Sequence, residues 1–219
     1  LEGQVLAMIK PQDQPKTVAE SSDFQATSTS EQVVDFVDQC AEQADHVRKI
    51  VFGKTVEGRE MVAAIVAREP YELGQEDPRA VVLVIGNIHS GECAGKEGLL
   101  MLLRELALSP EHPCLENLVL IIAPNYNADG NDRMGKLNRP GQVGPADGMG
   151  RRENTQNLDL NRDFMKIDSP EAQSLVGLMD RADPDLFIDC HTTNGSRHQY
   201  GLTYDIPHNP AVDSAIRDF

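Results

Sequence analysis

Tryptophan is absent from this 219-residue sequence, and aromatic residues make up only 5% of it. The core must therefore be built mainly from aliphatic side chains, and the aromatic platforms on which carbohydrates stack are not expected. Positive charge is scarce: 20 Lys and Arg face 35 Asp and Glu, a net charge of -15. That balance argues against a nucleic-acid partner, whose binding rests on cations neutralising phosphates. It argues equally against an anionic membrane surface. No apolar run is long enough to span a bilayer. None of the four cysteines (Cys40, Cys93, Cys114, Cys190) forms a CxxC pair, and although their count is even they do not read as a small disulfide framework. Cys93 and Cys190 read as small buried apolar groups. A strand passing through Cys190 and His191 would point them to opposite faces. The first residue is Leu1 rather than Met, and no signal peptide is evident. A processed protein or a piece of a longer one is expected, with export to a secreted or periplasmic location favoured.

What remains is ordinary for a soluble globular chain: 40% hydrophobic and 25% charged residues, enough for a substantial core. Residues 1–25, with Pro11, Pro15 and many small polar residues, read as a tail or linker. A capping box, Ser28-x-x-Glu31, is expected to open a helix. Its buried face would carry Val33, Val37, Cys40, Ala44 and Val47. Strands are expected at 48–54 and 61–67, joined by a hairpin turn through Glu57-Gly58. The unbroken apolar runs at 80–85 and 118–123 read as buried strands. Between them, 91–108 reads as a helix with Leu99, Leu102, Leu103 and Leu106 on its apolar face. Residues 124–157 are rich in Gly, Pro, Asn and Asp and form a loop long enough to suggest function. Ser169-Pro170-Glu171 starts a further helix, with Ser as N-cap and Pro at its first position, running to about residue 181. A last strand follows at 185–190. Strands alternating with helices, without internal repeats, predict an α/β fold with a mixed, largely parallel sheet.

Two strand ends carry chemistry. His89-Ser90-Gly91-Glu92 follows the first buried strand, and Asp189-Cys190-His191-Thr192 closes the last. In open α/β sheets ligands collect beyond the carboxyl ends of strands. Two imidazoles and a carboxylate suit a catalytic zinc, which keeps one position open. Each half is weak alone, because isolated HxxE pairs are common and a strand-end His is often a plain surface residue. His198 and Tyr200 follow the third candidate ligand closely and read as ordinary loop residues, with a place lining the cleft as the alternative; His46, His112 and His208 read as surface residues.

Four segments together resemble the zinc carboxypeptidases. They are Gly86-Asn87-Ile88-His89-Ser90-Gly91-Glu92, Leu158-Asp159-Leu160-Asn161-Arg162-Asp163-Phe164, Asp189-Cys190-His191-Thr192 and the hairpin Gly53-Lys54-Thr55-Val56-Glu57-Gly58-Arg59. Their order matches across about residues 26–205. The resemblance implies a mixed, largely parallel twisted sheet flanked by helices, with residues 26–219 forming the front part of a catalytic domain. It implies one zinc ion held by His89, Glu92 and His191, acting on a peptide or a small acyl-amino-acid substrate. It further implies that Asn161 and Arg162 hold the substrate's terminal carboxylate, for which a guanidinium fork is well shaped. From the residues alone, Arg162 could equally pair with Asp159 or Asp163. Arg152 is the best match for the family's oxyanion-stabilising arginine, with Arg151 a close second.

Two departures stand out. The family commonly has Asn where this chain has Asp163, an acid that could weaken the grip of Arg162. Its general-base Glu lies well after the third ligand, and no Glu occurs between His191 and Phe219, so this segment is expected to lack it. The expected activity is hydrolysis of a C-terminal peptide bond by zinc-activated water. A related amidohydrolase of N-acyl amino acids and a binding module without the reaction are the alternatives.

Overall fold

A computed structural model describes residues 14–206, 208, 209, 211 and 213. The chain runs α1 (Val18–Ser21), α2 (Ser30–Gln43), β1 (Val47–Lys54), β2 (Glu60–Val66), β3 (Ala80–Gly86), α3 (Cys93–Leu108), β4 (Leu118–Ala123), α4 (Ala128–Asp132), α5 (Pro170–Ala182) and β5 (Leu186–Cys190). The five strands make one sheet in the order β1-β2-β4-β3-β5. β1 pairs antiparallel with β2, and β2 antiparallel with β4. β3 lies parallel to both β4 and β5. The sheet is therefore mixed, and its parallel half is the half that leads to the candidate ligands.

Both faces of the central strands β2, β4 and β3 are covered, which explains why they read as continuous apolar runs. The two-residue period divides β2 cleanly. Val62, Ala64 and Val66 join a core with Val33, Phe36 and Val37 of α2 and Leu99, Leu100, Leu103 and Leu106 of α3. Met61, Ala63 and Ile65 face the other side, with Leu83, Ile85, Tyr126, Leu160 and Leu175 and Leu178 of α5. The result is three layers, helices on both sides of a sheet.

Several boundaries differ from expectation for identifiable reasons. The N-cap of α2 is Thr29, which forms its capping box with Gln32. Ser28 is unavailable because its N–H and hydroxyl both donate to Glu97 of α3, at 2.7 and 3.2 Å. Helix α3 begins at Cys93 rather than Gly91, because Gly91 has φ +100°, outside helical space. The long loop is not featureless: it contains α4 and a bridge between Gly135 and Met149. Within the stretch read as a tail, α1 has its own capping box, Thr17 with Glu20, and Arg104 of α3 holds Glu20 at 2.6 Å and the Pro15 carbonyl at 3.1 Å. The rest of that tail assignment, residues 1–13, lies outside the described residues.

Candidate metal centre

The parallel pairing of β3 with β5 sets Gly86 opposite Cys190. Two neighbouring strands therefore end at one level, and the residues just beyond them, His89 and His191, emerge side by side. Their ring centroids are 4.9 Å apart. Glu92 stands between them. Its Oε1 lies 3.1 Å from His89 Nδ1 and its Oε2 3.0 Å from His191 Nδ1. The ligand atoms of the three residues all fall within 4.8 Å of one another.

This donor set fits a zinc ion. Tetrahedral ligands at 2.0–2.1 Å from a metal stand about 3.3 Å apart, close to the separations here. The outer ring nitrogens are also taken: His89 Nε2 meets Asp159 Oδ1 at 3.1 Å, and His191 Nε2 meets Asp189 Oδ2 at 2.8 Å. A carboxylate behind each imidazole fixes ring orientation and leaves Nδ1 facing inward, the usual support of a metal-ligating histidine.

Electrostatics reinforce the arrangement. Burial opposes the charge of Glu92, but hydrogen bonds from His191, His89, the Thr192 N–H and Arg139 outweigh it and hold the carboxyl far below its usual range. The Asp189 and Glu92 carboxylates push the His191 imidazole up to about 9. To ligate a metal, that ring must release its proton.

The family's sequence profile, described as zinc carboxypeptidase, matches residues 33–175. The chain belongs to the zinc carboxypeptidase family. Human carboxypeptidase Z is 32% identical over 145 residues, covering 63% of this chain and 21% of that protein. Carboxypeptidase D of Anas platyrhynchos is 32% identical over 136 residues, covering 57% of this chain and 9% of that protein. This chain thus spans about one-fifth or less of the length of these curated relatives. The solved metallo-carboxypeptidase of Pseudomonas aeruginosa superposes with a TM-score of 0.57 at 25% identity, over 78% of this chain and 42% of that one. Crystalline thrombin-activatable fibrinolysis inhibitor, at 15% identity, shares the fold with a TM-score of 0.61 over 89% of this chain and 56% of its own. The zinc carboxypeptidases are metallopeptidases. The matched segment contains His89 and Glu92, and His191 joins them through the sheet.

Around this cluster Asp159 acts as a hub. Arg152 donates to its Oδ2 from Nη2 at 2.9 Å and from Nε at 3.2 Å, and the Arg152 Nη1 lies 3.8 Å from Glu92 Oε1. Arg151 instead pairs with Glu153 and Asn157, so of the two arginines it is Arg152 that reaches the cluster. The backbone N–H of Asn161 donates to Asp159 Oδ1 at 3.0 Å, opening the 3₁₀ turn Leu160–Arg162. Arg162 is exposed, and its guanidinium folds back onto the Asn161 carbonyl at 2.8 Å. Asp163 does not compete for it. That carboxylate is buried and accepts from the Ser169 hydroxyl, the Ser169 N–H and the Asp168 N–H at the start of α5.

The sequence reading missed four contributors, the first of them Asp159, which it offered only as a partner for Arg162. Asp189 was signalled only by lying two residues before His191, the spacing at which strand side chains share a face. Arg139 and Gln142 sit in a loop without periodicity and carried no signal. Cys190 turns away from His191 toward Gly95 of α3, and Cys93 and Cys190 are half-buried rather than fully buried. His46 is half-buried with its ring bonded to the Leu106 carbonyl, and His112 caps a 3₁₀ turn. His198 and Tyr200 are exposed.

Proposed function

We propose that the protein is a zinc-dependent metallocarboxypeptidase that binds one zinc ion per chain through His89, Glu92 and His191. The observation that carries this reading is the convergence of two imidazole Nδ1 atoms on one carboxylate, each ring backed by its own aspartate. When bound, the ion supplies Lewis-acid polarisation of a carbonyl and acidification of water. Arg152 lies beside the cluster with its Nη1 without a short partner among the described residues, and its role is to donate to the oxyanion that develops on the scissile carbonyl. Asp159 holds that guanidinium and His89 in one frame, so both face the reacting carbonyl together.

Arg162, with Asn161, receives the terminal carboxylate of the peptide. Its guanidinium is exposed and, among the described residues, has only the Asn161 carbonyl to leave, so it is free to swing to a carboxylate. The Pseudomonas aeruginosa relative was solved in complex with (2-guanidinoethylmercapto)succinic acid, a dicarboxylate, in keeping with a site that recognises such groups. The test uses the complete protein on short peptides with free and amidated C-termini and on acyl amino acids. Activity should vanish with a chelator, return with zinc and require the free carboxylate. Faster cleavage of acyl amino acids than of any peptide would redirect the reading to an amidohydrolase. Turnover indifferent to chelation would end it.

A further inference from the structure

Arg139 has no part in the function proposed above, yet it grips the centre of the site. Its side chain is 10% exposed, and Nη2 donates to Glu92 Oε1 at 2.7 Å. Its Nε donates to Gln142 Oε1 at 3.0 Å. Gln142 in turn donates from Nε2 to the Thr193 carbonyl. One residue back, the Thr192 N–H donates to Glu92 Oε2 at 3.0 Å. These contacts close a ring from Glu92 through Arg139, Gln142, Thr193 and Thr192 back to Glu92. Each oxygen of the carboxylate is thereby held from a different side, one by the loop after α4 and one by the segment that carries His191.

The surroundings are built to admit this arginine. A Cβ placed on Gly91, between the two proposed ligands, would stand 3.0 Å from Arg139 Cγ and 2.8 Å from the Gly150 carbonyl, at a φ of +100°. Glycine is needed there both for the turn and for the passage of the Arg139 stem. Gln142 also lines both of the clefts beside the cluster, one of ≈ 320 Å³ and one of ≈ 280 Å³. A role in stability alone is a poor account of Arg139. Its Nη1 is buried with no hydrogen-bond partner among the described residues, and an unsatisfied buried donor costs the fold.

We infer that Arg139 is a positioning residue for the metal site: with Gln142 it sets the orientation of the Glu92 carboxylate and locks the segment after His191 against it. This rests on reading His89, Glu92 and His191 as the zinc ligands. Two effects oppose each other. The guanidinium's charge repels an incoming dication, while its short charge-assisted bond keeps the ligand in place. Bracing wins, because outer partners of ligating groups typically contribute about 10–100-fold in metal affinity.

The experiment measures zinc affinity of the complete protein by competition with a chromophoric chelator, and the visible spectrum of its cobalt form, with circular dichroism as the check on folding. Arg139→Gln should weaken zinc binding about 10–100-fold and shift the cobalt bands. Arg139→Lys, which keeps the charge but cannot reach both partners, should fall between Gln and wild type. Gln142→Ala should weaken binding less, and adding it to Arg139→Gln should change little further, because both act through one relay. If Arg139→Gln does not fold, Gln142→Ala alone decides, since it spares the contact to Glu92. Zinc affinity and cobalt spectra indistinguishable from wild type, or tighter binding in Arg139→Gln, would overturn the inference. Failure of the wild type to bind zinc would instead overturn the metal reading itself, and this inference with it.

Discussion

Replacing Asp163 by Asn tests what the acid after Arg162 does in this chain. The Asp163 side chain is buried, and its two oxygens accept three hydrogen bonds: Ser169 Oγ at 2.6 Å, Ser169 N at 2.9 Å and Asp168 N at 3.0 Å. Ser169 is the N-cap of α5, and its hydroxyl accepts from the Ala172 N–H at 3.0 Å. An amide keeps one accepting oxygen and turns an NH₂ group toward a donor, so one side of this cradle loses its acceptor. A hydrogen bond to a charged group contributes about 1.5–3 kcal/mol, and the predicted loss for Asp163→Asn is about 2 kcal/mol. Burial opposes the charge here, but the bonds from Ser169 and Asp168 prevail and hold the carboxyl below its ordinary range. A depressed folded-state pKa stabilises the protein above the unfolded value of about 3.9 and loses that contribution as pH falls through the folded value. Urea unfolding should therefore show the full gap between wild type and variant at neutral pH and a shrinking gap below about pH 4. Because the carboxylate faces α5, the variant should not improve affinity for substrates with a free carboxylate. Equal stability at neutral pH, or a clear gain in carboxylate affinity, would refute this account of Asp163.

Three further outcomes are expected. His191→Ala should abolish tight zinc binding, and elemental analysis showing unchanged zinc content would remove that residue from the ligand set. Arg162→Ala should raise KM about 10–100-fold for peptides with a free C-terminus, the equivalent of one charge-assisted contact, and leave amidated peptides unaffected; equal losses on both would assign Arg162 another role. Burial pushes the Glu171 carboxyl up despite bonds from its own N–H and from Asn154, so its folded pKa exceeds the unfolded one. Wild type should accordingly lose stability relative to Glu171→Gln as pH rises from about 4.3 through the raised value, and parallel pH profiles of the two would falsify the shift.

Much of the architecture was legible because it is written in local patterns. The apolar runs of β3 and β4 announce strands buried on both faces, and β4 occupies the very span its sequence suggests. Ser169-Pro170 marks the first turn of α5 without ambiguity, since a cap and a missing N–H are properties of adjacent residues. The three proposed ligands could be named from residue type and from their place after strands. What local pattern cannot carry is partnership at a distance. His191 and Glu92 meet although 99 residues separate them, and only the register that sets Gly86 opposite Cys190 brings them together. The start of α2 was misread by one residue because Ser28 bonds to Glu97, 69 residues away. The same pairing buries Lys96 and Glu97 on a helix whose apolar periodicity gave no hint of it, with Lys96 donating to the Ser28 carbonyl and to Asn131. Arg139, from a loop with neither periodicity nor a motif, is placed by a closed ring of contacts. The sequence by itself determined the main strands and helices and the residue types offered as ligands, but not α1 or α4, because propensity, capping and side-chain period act within a turn or a strand. The tertiary structure alone decided which strand ends are neighbours, which carboxylate backs each histidine and which arginine reaches Glu92. Each of those depends on sheet order and register, which bring together residues that no short stretch of chain contains.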